Sequence, residues 1–133
     1  MLPANATLTE AASGLVFPAT DLASILGGGP VIITEIPGTE YTLNGSEAGT
    51  VLNFTSMDAI TVSVPSDLTV GFIVGTSISF VQGGSGAILF QGADDTVVIN
   101  SFNDLNQTGG QFATAGLMKT AANTWLLAGN LTA

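Results

Sequence analysis

From Val31 onward the chain reads as short β-prone runs, each closed by Gly, Pro, Asn or Asp, at spacings expected of sandwiches and barrels. The clearest run is Ile60-Thr61-Val62-Ser63-Val64, where apolar and hydroxyl side chains alternate and place Ile60, Val62 and Val64 on one face. Pro65 follows and has no N–H to donate, so the ladder should stop there. Ser77-Ile78-Ser79-Phe80 alternates in the same way. It is followed by Gly83-Gly84-Ser85-Gly86 and then by Ala87-Ile88-Leu89-Phe90, an order that predicts a β-hairpin. Further strands are expected over 31–35, 40–43, 50–54, 96–99, 111–119 and 124–128. The expected fold is mostly β: a compact antiparallel β-sandwich or barrel-like domain over 31–133, behind an N-terminal arm of little regular structure over 1–30.

The arm differs in character from the rest. Thr7-Leu8-Thr9-Glu10 has capping-box spacing and Thr20-Asp21-Leu22 could open a second short helix. However, Pro3, Gly14, Pro18 and Gly27-Gly28-Gly29-Pro30 interrupt every long periodic stretch. Leu15-Val16-Phe17 is an apolar triplet without an obvious fold of its own that must pack on the body, on a sister subunit or on another protein, so Leu15, Val16 and Phe17 are the candidate intermolecular contact. In the β-domain Trp125, Phe80 and Val62 are the candidate core anchors, and the indole N–H of Trp125 should find an acceptor if buried.

Charge narrows the chemistry. Only 8% of the 133 residues are charged, with ten carboxylates against one base, Lys119, for a formal net charge of -9. Free domains carry about 25% charged residues, so the surface is either a neutral polar one of Thr, Ser, Asn, Gln and Gly or, the favoured reading, one that subunit contacts largely cover. One cation cannot neutralise a run of phosphates, which argues against nucleic acid, and the same count argues against anionic membranes. With no Cys and no His, thiol chemistry, disulfides, imidazole bases and the usual zinc sites are excluded. No basic stretch leads into an apolar run at the N-terminus, so no secretory signal is expected, and no run reaches the roughly 18 apolar residues of a spanning helix.

Candidate sites for catalysis fare poorly. Asp58, Asp67 and Asp94-Asp95 sit in turn-like sequence, where aspartates hydrogen-bond nearby backbone N–H groups, rather than as the facing acid pair of a glycosidase. Asp94, Asp95, Asn100, Asn103 and Asp104 lack the spacing and closing glutamate of a calcium loop. Neither glycine run has the Lys or the following helix of a phosphate loop. The N-x-[ST] matches at Asn5, Asn44, Asn53, Asn106 and Asn130 follow from a Thr- and Ser-rich composition and receive no role. The expectation is a protein that is no enzyme, with no catalytic residues, no cofactor and no metal.

The order of segments carries a resemblance. Tyr41-Thr42-Leu43, Glu47-Ala48-Gly49-Thr50-Val51, Ala59 to Pro65 and Val74 to Gly86 are followed by Ala113-Thr114-Ala115-Gly116-Leu117-Met118-Lys119 and then by Asn123 to Leu131. This set resembles a β-module that recurs in tailed-phage virion proteins, and it covers about Glu40 to Thr132, roughly 70% of the chain. The resemblance implies a compact, commonly trimeric binding and assembly unit of tail fibres or capsid-surface decoration proteins. The last two segments would be its final hairpin. A single module behind a short arm suits decoration better than a long fibre. The function expected is therefore a capsid decoration (cement) protein on the virion surface that binds the major capsid protein and its own copies as a homotrimer. The alternative is a tail-fibre or receptor-binding module that reads a host surface ligand.

Overall fold

The computed structural model describes residues 30–133. The expected arm over 1–30, and with it the contact assigned to Leu15, Val16 and Phe17, lies outside the described residues except for Pro30. Val31–Ala133 forms one compact unit, built from eleven strands and one short turn of 3-10 helix at Phe102–Asp104.

The strands are β1 (Ile33–Ile36), β2 (Glu40–Thr42), β3 (Val51–Phe54), β4 (Ile60–Val64), β5 (Ser77–Gln82), β6 (Ile88–Gly92), β7 (Val98–Ser101), β8 (Gln107–Thr108), β9 (Thr114–Ala121), β10 (Thr124–Gly129) and β11 (Leu131–Thr132). They form two sheets, one of six strands in the order β1-β3-β5-β9-β10-β7 and one of five in the order β11-β8-β6-β4-β2. The fold is mostly β, as the alternating runs predict, and β4 ends at Val64 immediately before Pro65.

The pairing, however, is mixed rather than antiparallel. The first six strands form three rungs of a coil, each rung laying one strand in the six-stranded sheet and the next in the five-stranded sheet. Strands two apart in sequence therefore stack in parallel: β1 on β3, β3 on β5, β2 on β4 and β4 on β6. Antiparallel pairing needs a chain that turns back within one sheet, and that happens only later, where β9 pairs with both β5 and β10 and β8 with both β6 and β11. The β9–β10 hairpin is the one expected at the end of the chain. Its turn holds Asn123 at φ 51, a left-handed conformation that Asn tolerates.

The expected hairpin of Ser77–Phe80 with Ala87–Phe90 does not form, because β5 and β6 belong to different sheets. Gly83-Gly84-Ser85-Gly86 is instead the corner between them, stacked on the corner of the rung below. Gly84 N–H donates to Phe54 O at 3.1 Å and Gly86 N–H to Ser56 O at 3.0 Å. A Cβ on Gly86 would stand 1.9 Å from Asp58 O, and one on Gly84 would stand 2.4 Å from Ser56 O. The glycines are required by close approach of two backbones rather than by a tight turn.

Register carries the inward side chains into continuous rows. Leu52 lies beside Phe80 and Phe80 beside Ala115, while Tyr41, Val62 and Phe90 line up across the facing sheet. Phe80 meets Phe90 edge-on at 4.9 Å between ring centroids, and Phe72 meets Trp125 edge-on at 5.3 Å. Trp125, Phe80 and Val62 are all buried in this core. Such side chains contribute about 1.5–3 kcal/mol each on burial. The acceptor expected for Trp125 is missing: its Nε1 is buried without a hydrogen-bond partner, because the ring is enclosed by apolar neighbours such as Phe72.

Polar side chains are spent inside as well. Thr108 of β8 donates its hydroxyl to Gln82 Oε1 of β5 at 2.6 Å and accepts from Ile88 N–H at 2.8 Å, which ties the two sheets together through the core. Glu47, also buried, accepts from the Tyr41 hydroxyl at 2.6 Å and from the backbone N–H groups of Asn44 and Gly45, closing the return loop of the first rung.

Candidate adhesion surface

The outward side chains of the six-stranded sheet form a face with very little charge. One row across it runs Ile33, Val51, Ser79, Gly116, Ala128, in register from β1 through β3, β5 and β9 to β10. A neighbouring row runs Ser77, Met118, Leu126, Asn100, and on the other side lies Glu35, Asn53, Val81, Thr114. Small side chains in the first row leave a shallow groove of about 480 Å³ between Val51, Val81 and Thr114 and the strands of the hairpin. Met118, Leu126 and Val98 stand 43%, 40% and 46% exposed beside it, a level of apolar exposure that marks contact surfaces when contiguous.

The rest of the charge is directed elsewhere. Lys119 alternates with Met118 along β9 and therefore points inward, where it is buried. Its ammonium donates to Asp67 Oδ1 and to Phe72 O, so the single base of the chain is consumed in holding the loop over 65–76 to the sheet. Asp67 also accepts from Asn123 N–H and donates its own N–H to Asn123 Oδ1. The Lys119 ammonium, reinforced by the Asn123 N–H, holds the Asp67 carboxyl below the usual carboxylate range. Asp94 is likewise held low, by the hydroxyl and N–H of Thr96 and the hydroxyl of Ser66, which is the turn-capping role expected of it. Asp58 and Asp95 lie exposed in loops. Glu35, on edge strand β1, is the sole ionisable group among the outward side chains of the described six-stranded sheet.

The outward face of the five-stranded sheet is different: Glu40, Thr42, Thr61, Ser63, Gln91 and Gln107 make it mostly polar around the half-buried Leu89. Between the two sheet faces, the six-stranded one is the more apolar, and it continues at its β1 margin, where Val31, Ile32 and Ile33 are 58%, 68% and 66% exposed. Among the described residues β1 has a strand partner on one side only, and an edge of that kind can pair with another strand.

Among the described residues no three His, Cys, Asp or Glu side chains gather as a metal site, and no helix is long and apolar enough to cross a membrane. The expected role of Asp67 as a plain turn residue misses its partner. Lys119 was visible in the sequence as the one base, and its position among alternating apolar residues of β9 is the signal that it faces inward and must find a carboxylate. The outward row of Ser79, Gly116 and Ala128 was hidden because it is set by pairing across three strands. No family model, no curated protein and no solved structure matches the chain.

Proposed function

We propose that this chain is a structural protein of a phage virion, a decoration protein that binds the head surface as an oligomer and stiffens the shell. The observation that carries this reading is the nearly uncharged outer face of the six-stranded sheet in a chain of net charge -9. Two acidic copies, or an acidic copy and a shell, repel wherever their carboxylates meet, and this face lets surfaces close with little such repulsion. Apolar area removed from water there contributes about 25 cal/mol per Å².

The mechanism is adhesion. Copies joined to one another and to neighbouring capsid subunits bind by effective concentration, so weak individual contacts hold together. A ligand that binds the assembled shell and not its free subunits stabilises the shell by mass action. The segment resemblance over 40–132 supports the same reading, with the major capsid protein as partner.

Counting copies per particle on a quantitative gel tests it. Decoration requires the chain to be present in proportion to the shell subunit, with label over the head in electron micrographs. Label at the tail, with only a few copies per particle, would favour the receptor-binding alternative.

A further inference from the structure

We infer that the cleft between β6 and β7 is a binding site for a neutral saccharide. The inference goes beyond decoration and does not depend on it. After Gly92 the chain leaves the five-stranded sheet, passes through 93–97 and returns as β7 at the margin of the six-stranded sheet. The side of the sandwich is open there, and a cleft of about 310 Å³ results, at the lower end of the roughly 300–1,000 Å³ of small-ligand pockets.

Val97 and Ile99 give the cleft apolar walls over the buried Phe90, and Gln91, Ser101, Asp104 and Asn106 supply polar groups around them. Some polar loop residues elsewhere on the molecule are committed: Asn44 Oδ1 accepts from Ser46, Asp94 from Thr96 and Asn130 from Thr114. Among the described residues the side chains of Gln91, Ser101, Asp104 and Asn106 have no protein hydrogen-bond partner, although all four line one cleft.

The segment that carries three of them is held in an unusual shape. Asn103 and Asp104 both have φ 56, a left-handed conformation that non-glycine residues adopt rarely. It leaves Phe102, between two lining residues, 80% exposed.

A sugar ring answers this chemistry. Its hydroxyls both donate and accept, which suits two amides, a hydroxyl and a carboxylate, and its C–H face suits apolar walls. The lining holds no cation, and its one carboxylate would repel a phosphate, sulfate or uronate, so the saccharide is neutral. A lone carboxylate also lacks the facing acid that glycoside hydrolysis needs, so the site binds without cleaving.

Saturation-transfer-difference NMR on the full chain, with D-glucose, D-galactose, N-acetyl-D-glucosamine and L-rhamnose as separate probes, tests this. At least one should show saturable transfer at millimolar concentration, weakened about tenfold or more, about 1.4 kcal/mol, in both Asn106→Ala and Ser101→Ala. Tryptophan emission that matches the parent protein would show each variant folded. No transfer to any of the four sugars, or undiminished transfer in both folded variants, would overturn the inference. Shell binding by Asn106→Ala is measured separately, so a failed sugar site leaves the decoration reading intact.

Discussion

Lys119 and Asp67 stand 52 residues apart in sequence and form the one ion pair among the described residues, with the ammonium buried and the carboxylate partly open to water. That asymmetry decides what each deletion does. Asp67→Ala strands a buried ammonium and should be the more destabilising of the two. Lys119→Met leaves a carboxylate that water can solvate and fills the space with a side chain of similar length, so it should cost less. Denaturant unfolding of the two variants checks the order.

The same carboxyl sets the acid limb. Its folded pKa is lowered, as is that of Asp94, so their contribution is fully present above the unfolded value, about 3.9, and is lost as pH falls through the depressed folded values. Stability should hold down to about pH 4 and decline below it. Asp67→Asn should flatten that decline in acid unfolding followed by circular dichroism.

Tyr41 offers an alkaline counterpart, and it is the only tyrosine in the chain. Burial, together with the hydrogen bond to Glu47 and its negative charge, raises its pKa from 10.0 to about 12. A raised folded pKa means stability is intact below the unfolded value of 10.0 and is lost as pH rises toward about 12. Phenolate absorbance should therefore titrate near 12 in the folded protein and near 10.0 once it is unfolded.

Trp125 is the sole tryptophan and is 1% exposed. Its emission should be blue-shifted and move red on unfolding. Trp125→Ala should cost about 3–5 kcal/mol as a large-to-small core change, while Trp125→Phe should cost less, since the lost indole N–H has no partner to leave behind. Melting curves of the two variants give the comparison.

Gly86 sits where one corner of the coil rests on another. Gly86→Ala would drive a methyl group into Asp58 O and should destabilise by more than the roughly 1 kcal/mol of a simple glycine replacement, whereas Gly38→Ala, with open space around it, should be mild. Thermal unfolding of the pair separates close approach from backbone freedom.

These residues also show how far the sequence could be read. Alternation in Ile60–Val64 and Ser77–Phe80 revealed strands and their buried faces, because side-chain direction is local. Partner choice is not local. The run 83–86 has the glycines of a hairpin turn, yet those glycines answer to Asp58 and Ser56 in the rung below. A trace of the coil was present, since the same offset of 28 residues separates Val51 from its neighbour Ser79 and Ile60 from its neighbour Ile88. The first rung has different return-loop lengths, which hides the repeat. The cleft between β6 and β7 was harder to see: Gln91 is distant in sequence from Asn106, and only the pairing of β8 with β6 brings them together.

Replacing both Met118 and Leu126 with Asp places charge in the middle of the six-stranded sheet's outer face without touching the core. Sedimentation velocity of this variant and its parent, alone and with purified phage heads, tests the adhesion account most directly. The account predicts an oligomeric parent that travels with the heads, and a variant that stays monomeric and free of them while keeping the parent's tryptophan emission. A monomeric parent, or a folded variant that still assembles and still travels with the heads, would contradict it.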